Sequence, residues 1–276
     1  MAGHVLVRYF RRLSGYEVVY TMRDRSDPSA LVLDASKLED LERVLKQERP
    51  SIVINAIGIL NQRAEENPRE AEVVNALFPH RVAATLDELG YGGKLVHIST
   101  DCVFAGTIGP GYVFKPGGRY REQDIPDGTS VYARTKAAGE VRDNRHLTIR
   151  TSIVGPEIRP GGIGLMHWFM KQRGTVPGYT RVLWNGVTTL QLARSIERLV
   201  QQGAGGLIHL TAPEIVSKYE LLKLFADIFG KCDVRIEPTD HPELDRTLVR
   251  SRLANIDEVP DYRTMLTELR EWMRSA

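Results

Sequence analysis

Tyr132-Ala-Arg-Thr-Lys136 places a phenol and an ammonium at i and i+4, on a single face of a helix. An ammonium beside a phenol favours the phenolate and lowers its pKa, so this tyrosine can trade a proton near neutral pH. The same spacing recurs in Tyr219-Glu-Leu-Leu-Lys223, where the surface of an amphipathic helix accounts for it. Context separates the two. Upstream of Tyr132 the apolar run Lys94–Ile98 leads directly into Ser99-Thr100-Asp101. Hydroxyls at the carboxyl end of a buried parallel strand open onto the crevice where α/β sheets bind ligands. Alone, Ser99-Thr100-Asp101 reads equally well as a turn or a helix cap. Followed by a helix bearing Tyr132 and Lys136, it becomes a candidate proton-transfer site built from Thr100, Tyr132 and Lys136. Tyr219 has no such strand before it.

The flanking pattern supplies the scaffold. Tyr16–Thr21 and Ala30–Leu33 read as strands, the second ending at Asp34. Ser36 is predicted to cap a helix through Glu48, with Leu38, Leu41, Val44 and Leu45 on one face. Pro50 stops it, and Ser51–Asn55 is the continuous apolar run of a parallel strand buried on both faces. The spacing then predicts a long helix over Pro68–Leu89 closed by Gly90, a strand over Lys94–Ile98, a helix over Ser130–Arg142 and a strand over Leu147–Arg150. This alternation predicts an α/β fold with a doubly wound, Rossmann-like parallel sheet. After Gly155 the rhythm changes. Residues 156–186 are rich in Gly, Pro and aromatics, as loops around a cleft are. Thr188–Gln201 returns to a helical pattern and Leu207–Leu210 to a strand, and Ser217–Phe229 and Tyr262–Met273 are predicted helices of a smaller C-terminal lobe. At the start, Met1-Ala2-Gly3 runs straight into a helical pattern over His4–Leu13, without the strand that normally opens such a sheet.

Composition narrows the function classes. With 42% hydrophobic and 26% charged residues over 276 positions, the chain is neither disordered nor fibrous. A net charge of +2 gives no case for a nucleic-acid or anionic-membrane partner. Cys102 and Cys232 have no metal-ligand spacing and form no disulfide framework, and the seven histidines are scattered, so no metal site is expected. The best apolar run, Ile52–Leu60, is broken by Asn55 and Gly58 and falls far short of the roughly 20 residues of a membrane span. No secretory signal is visible at the N-terminus. A cytoplasmic location is the expectation.

Four segments in order, H-I-S-T-D-C-V-F-A-G, R-E-Q-D-I-P-D, Y-A-R-T-K-A-A-G-E and I-R-T-S-I-V-G, closely resemble the extended short-chain dehydrogenase/reductases. Within them the chain is most similar to the dTDP-4-dehydrorhamnose reductase group, which reduces the 4-keto group of a nucleotide-linked deoxysugar with a nicotinamide cofactor. The resemblance implies that Thr100 hydrogen-bonds the keto oxygen, Tyr132 protonates it, and Lys136 lowers the tyrosine pKa and holds the nicotinamide ribose. Hydride arriving at a carbonyl carbon builds negative charge on oxygen, which a nearby donor and acid stabilise. It also implies a dinucleotide-binding domain over 1–155, to which 187–210 return, and a substrate-binding lobe over 156–186 and 211–276. A nucleotide-diphosphate sugar is the implied substrate, and a homodimer the implied assembly. The same Thr100/Tyr132/Lys136 set serves a nucleotide-sugar epimerase, and the regulatory subunit of methionine adenosyltransferase resembles the group too, so a non-catalytic cofactor-binding role stays open.

By the same resemblance, Asp34 meets the adenine side, Ala56, Ile57 and Gly58 pass under the nicotinamide half, Ser99 lines the cofactor, and Asn75 has mainly structural use. Arg23 and Arg25, beside Asp24, suit a ribose 2′-phosphate, which favours NADP(H) over NAD(H). Of the family's Gly-x-x-Gly-x-x-Gly turn only the last glycine, Gly3, is present, and the expectation is that the reading frame continues upstream of Met1 into a strand and the other two. On the substrate side the resemblance points to Cys102, Phe104 and Ile153 facing the sugar, with Cys102 and Ile153 standing where the rhamnose-pathway enzymes usually carry tyrosine and tryptophan. Trp184 would stack on a base or sugar, and Arg181 and Asn185 would meet the diphosphate. Gly109–Gly118 looks like an insertion, either a lid or an ornamented loop.

Overall fold

The computed structural model describes residues 1–109, 111–115, 117–158, 161–252 and 258–275. Pro110 and Pro116 of the inserted loop, and residues 159 and 160 of the Gly/Pro-rich stretch, lie outside the described residues. The chain opens on helix α1 (Ala2–Arg11), which buries Val5, Leu6 and Phe10 at helical spacing. Then come β1 (Thr21–Met22), β2 (Leu31–Val32), α2 (Leu38–Glu48) and β3 (Ile52–Asn55). α3 (Asn61–Glu66) and α4 (Pro68–Ala71) precede a π turn over Glu72–Leu77, which runs into α5 (Phe78–Leu89). β4 (Lys94–Thr100), α6 (Val131–Ala138), β5 (Leu147–Thr151) and β6 (Ile153–Val154) follow. The remainder is α7 (Leu165–Lys171), β7 (Gly174–Tyr179), β8 (Val182–Trp184), β9 (Val187–Thr188), α8 (Thr189–Gln201), β10 (Gly206–His209), β11 (Val216–Ser217), α9 (Lys218–Phe229), β12 (Val234–Thr239), β13 (Leu244–Asp245) and α10 (Tyr262–Arg274).

The central sheet is parallel throughout, in the order β10-β5-β4-β3. All residues of β5 and β10 are buried, as a sheet covered on both faces requires. Alternate residues of β4 enter separate cores: Leu95 packs with α2 and α5, Val96 with α1 and α8. This is the doubly wound α/β arrangement. β1 and β2 form their own parallel pair, and among the described residues β3 is an edge of the four-stranded sheet. In the C-terminal part β7 pairs with β12, and β8 lies between β11 and β13. A Ser217–Glu220 capping box starts α9, and Asp261 caps α10.

Four elements differ from the sequence-based expectation. The strand over Tyr16–Thr21 contracts to the two residues that pair with β2. Ser36 does not cap α2; its hydroxyl donates to Asp34 instead. The helix expected over Pro68–Leu89 is interrupted by the π turn, and α6 stops at Ala138 rather than Arg142. The last two meet in space. Gly139 approaches the π turn so closely that a Cβ there would sit 1.9 Å from the Asn75 carbonyl oxygen. A π turn is a frequent mark of a functional region, because the extra residue redirects a side chain. Here it aims Asn75 at the loop after β3, where the amide accepts from the Ile59 N–H and donates to the Ile59 carbonyl, both at 2.8 Å.

Candidate active site

β4 ends in the buried pair Ser99 and Thr100. The chain turns there through Asp101–Val103, a single 3₁₀ turn capped by Thr100: its Oγ1 accepts from the Cys102 N–H and donates to Asp101 Oδ1, both at 3.1 Å. Facing it, Ser130 caps α6 by accepting from the Ala133 N–H, which fixes where the first turn presents Tyr132. The Thr100 hydroxyl lies beside the Tyr132 phenol and favours its ionised form. One turn on, buried Lys136 donates from Nζ to the Ile98 carbonyl at 2.8 Å and lies 3.2 Å from His97 Nε2. Thr100, Tyr132 and Lys136 thus gather at the carboxyl end of β4.

The electrostatics depart from the sequence-based reading. Burial pushes the Tyr132 phenol above its ordinary value, and Cys102 and Asp101 beside it push the same way, against the Thr100 hydroxyl. Burial lowers Lys136 to about 8, opposed by Glu140. Both groups are driven toward their neutral forms, and the tyrosine is not lowered by the lysine, whose nitrogen is turned to β4.

A second polar cluster adjoins Tyr132, and nothing local in the sequence marks it. Lys218, the first residue of α9, lies with Nζ 4.8 Å over the Trp184 ring and is lowered by burial to about 8, against Asp101 and Cys102. Arg246 donates from Nε to the Ala105 carbonyl, with Nη1 3.5 Å from Cys102 Sγ. Burial raises Asp101, against Arg246 and Lys218, while burial and Asp101 push the Cys102 thiol up to about 12. Beneath β4 lies a third polar group. Arg150 and Glu140, both fully buried, pair through Nε–Oε1 at 2.6 Å and Nη2–Oε2 at 2.7 Å, and Ser99 Oγ donates to Glu140 at 2.9 Å.

Not every expected contact residue is free to make its contact. Phe104 is fully buried, stacked on Tyr120 at 4.0 Å with the Arg150 guanidinium 5.0 Å from its ring, so it is core and does not face a sugar. Trp184 is buried between Tyr262 and Lys218. Asn185 ties two segments together, donating to the Leu248 carbonyl at 2.8 Å and accepting from its N–H at 3.1 Å. Ser99 is committed to Glu140. Cys102 and Ile153 stay half-buried. Arg181 pairs with Glu243 at 2.9 Å and lines a cavity of about 510 Å³ with Tyr112, Phe114, Tyr219 and Lys223. The Tyr219/Lys223 pair, read from sequence as plain surface, therefore borders a concavity.

The residues present fit a nicotinamide dinucleotide. Ala56–Gly58 form an open turn after β3 with Ile57 exposed, and a Cβ on Gly58 would stand 3.5 Å from Asn75 Oδ1. The first N–H groups of α1, around exposed Gly3, have no side-chain cap, the chemistry a phosphate needs. Asp34, at the end of β2, is held below its ordinary range by two hydrogen bonds from Ser36, with Arg23 nearby. Arg23 itself is exposed but paired, 2.9 Å from Glu70 and 3.7 Å from Asp34.

Comparison with known proteins adds the following. The family model described as RmlD substrate binding domain matches residues 2–276. A dTDP-4-keto-6-deoxy-D-glucose reductase of Streptomyces niveus is 26% identical over 278 residues, covering 99% of this chain and 90% of that protein. Methionine adenosyltransferase 2 subunit beta of Xenopus tropicalis is 24% identical over 266 residues, 88% of this chain and 73% of that one. The crystal structure of dTDP-4-dehydrorhamnose reductase from Bacillus anthracis in complex with NADP superposes with a TM-score of 0.71 at 22% identity, covering 87% of each chain.

Proposed function

The chain belongs to the RmlD substrate binding domain family, and from that premise we propose that it reduces the 4-keto group of a nucleotide-linked deoxysugar. It does so as an NAD(P)-dependent oxidoreductase of the extended short-chain dehydrogenase/reductase type. The observation that carries this reading is the meeting of Thr100, Tyr132 and Lys136 at the end of β4.

When bound, the nicotinamide cofactor supplies the hydride. Thr100 and Tyr132 offer hydrogen bonds to the carbonyl oxygen, and Tyr132 gives it the proton as negative charge develops there. The raised pKa of the phenol keeps that proton in place at neutral pH until the oxygen takes it. Lys136, one turn on along the helix, would hold the nicotinamide ribose. Ala56–Gly58, Asp34 and the start of α1 hold the cofactor, with Arg23 giving a preference for NADP(H) once a 2′-phosphate replaces Glu70 as its partner. Cys102, Ile153, Lys218 and Arg246 border the sugar, and Arg181 the diphosphate. A homodimer in the cytoplasm is the expected state. Among the described residues no helix is long and apolar enough to cross a membrane.

Tyr132→Phe tests the reading. It should lower turnover of a dTDP-linked 4-keto-6-deoxyhexose by about 10²- to 10⁴-fold while leaving cofactor affinity nearly intact. Full activity in that variant would remove Tyr132 as the proton donor. The similarity to methionine adenosyltransferase subunit beta favours a second, regulatory reading. Cofactor binding without reduction of any nucleotide sugar in a broad panel would bring that reading forward.

A further inference from the structure

We infer that the inserted loop and the Tyr219/Lys223 pair form one specificity pocket, in which Tyr112, Phe114 and Tyr219 enclose the nucleobase of the substrate and Lys223 faces its phosphates. The inference rests on the nucleotide-sugar reading given above and deepens it. Its evidence is that two features of the sequence with no part in proton transfer meet at one cavity.

The cavity holds about 510 Å³, within the range of small-molecule sites. One wall is the inserted loop, pinned in place at Tyr112. The Tyr112 hydroxyl donates to Asp245 Oδ2, and the Arg119 guanidinium lies 5.1 Å from the Tyr112 ring centroid. Arg119 Nη1 in turn donates to the Thr107 carbonyl at 2.9 Å, and Asp245 Oδ1 accepts from the Thr247 N–H at 2.9 Å. Two residues beyond this anchor, Phe114 lines the cavity and is 45% exposed. An aromatic ring that open to water gains from being covered, and a flat ligand in the cavity supplies the cover. The opposite wall is α9, where Tyr219 and Lys223 lie one turn apart with Nζ 5.3 Å from the tyrosine ring centroid.

The charges select an anion. Arg181 and Lys223 both line the cavity. Glu220, the acid on the same wall, is taken up in the capping box, where its carboxylate accepts from the Ser217 N–H at 2.7 Å and the Ser217 hydroxyl at 2.9 Å. Glu243 pairs with Arg181 at 2.9 Å. Among the described residues Lys223 makes no ion pair, so its charge is open to a phosphate. Aromatic faces with cations at their edge hold a base and its phosphates together. The position fits as well. Leu183 and Ser217 line the cavity and directly precede Trp184 and Lys218, while Asp245, which holds Tyr112, directly precedes Arg246. Lys218 and Arg246 stand against Asp101 and Cys102, the neighbours of Tyr132. With the sugar at Tyr132 and the diphosphate at Arg181, the nucleoside end falls in the cavity.

The test uses dTDP alone as the probe, titrated calorimetrically into the full chain. The wild type should bind it at one site, in competition with the nucleotide-sugar substrate. Phe114→Ala and Tyr219→Ala should each weaken dTDP by about 5- to 100-fold, the range of a lost base-stacking face. Lys223→Met should weaken it by about tenfold or more, as the loss of a charged hydrogen bond does. Phe114 and Lys223 are exposed, so these two variants test the pocket without disturbing the core. In turnover, KM for a dTDP-linked 4-keto-6-deoxyhexose should rise in step with the loss of dTDP affinity while kcat holds, because the nucleoside end is bound equally in the ground and transition states. Unchanged dTDP affinity in both Phe114→Ala and Lys223→Met overturns the inference. So does dTDP binding that leaves the substrate uncompeted, which would make the cavity a separate site, or no dTDP binding by the wild type. Failure to reduce any nucleotide sugar, with the dTDP affinities as expected, overturns the proposed function and leaves the pocket standing.

Discussion

Replacing Glu140 by Gln removes the carboxylate from the centre of the buried network behind the active site. Glu140 and Arg150 have no exposed side-chain surface, and their two contacts, 2.6 and 2.7 Å, have the geometry of a bidentate pair. Ser99 adds a third bond at 2.9 Å, and half-exposed Arg142 a fourth at the same distance. Losing one member of such a pair strands the other charge in the interior, which costs about 3–5 kcal/mol. Gln keeps one carbonyl oxygen as an acceptor. Arg150 also retains its longer contacts to the Glu122 carbonyl at 3.4 Å and His209 Nε2 at 3.3 Å. The loss should therefore fall near the lower end, about 3 kcal/mol, or roughly a hundredfold in the folding equilibrium. Equilibrium urea unfolding, followed by fluorescence and circular dichroism together, measures it. Glu140→Leu combined with Arg150→Met should recover most of the loss, because apolar replacement of a whole buried pair is often neutral. A single-variant loss under about 1 kcal/mol would refute the reasoning. So would a double variant as unstable as the two single losses summed.

Three further outcomes are expected. Arg23→Ala should weaken NADPH by about tenfold and NADH hardly at all, since the arginine has only Glu70 and Asp34 to release; equal weakening of both in a fluorescence titration would assign it to the surface. Ser217→Ala deletes the capping box of α9, in which Ser217 Oγ accepts from the Glu220 N–H at 3.1 Å and the Ser217 N–H donates to the Glu220 carboxylate at 2.7 Å, and should cost about 1 kcal/mol in the same urea assay. Iodoacetamide at pH 8 should modify exposed Cys232 and spare Cys102, whose thiol, pushed up to about 12, holds almost no thiolate there; equal labelling by mass spectrometry would contradict that burial.

Much of the frame is legible in the sequence because buried parallel strands leave a local trace. Ser51–Asn55, Lys94–Ile98 and Leu147–Arg150 are apolar runs bounded by turn residues, and each falls on a strand of the central sheet. The grouping of Thr100 with Tyr132 and Lys136 is legible for a related reason. A strand end followed by a crossover helix must bring the helix back over the sheet, so order along the chain already implies proximity. The break in the long helix left no local trace in the sequence, and the segment packed against it, at Gly139 beside the Asn75 carbonyl, lies some sixty residues downstream. Phe104, Trp184 and Asn185 illustrate another limit. Position in a motif places a backbone near the site, while Tyr120, Tyr262, Lys218 and Leu248, all distant in sequence, decide where each side chain goes.

The spacing of Tyr132 and Lys136 shows the same limit at the level of chemistry. An i,i+4 pair on a helix predicts an ammonium beside a phenol, yet the four-carbon stem of a lysine reaches past its own helix, and its nitrogen settles where donors and acceptors are best matched. Here that place is β4, between the Ile98 carbonyl and His97 Nε2. The spacing therefore reports that the two residues cooperate without reporting how. Behind His97 stands Asn55, at the end of the neighbouring strand, whose Oδ1 accepts from the Ile57 N–H and whose other amide end faces His97 Nδ1. A substitution at Asn55 touches neither Tyr132 nor Lys136.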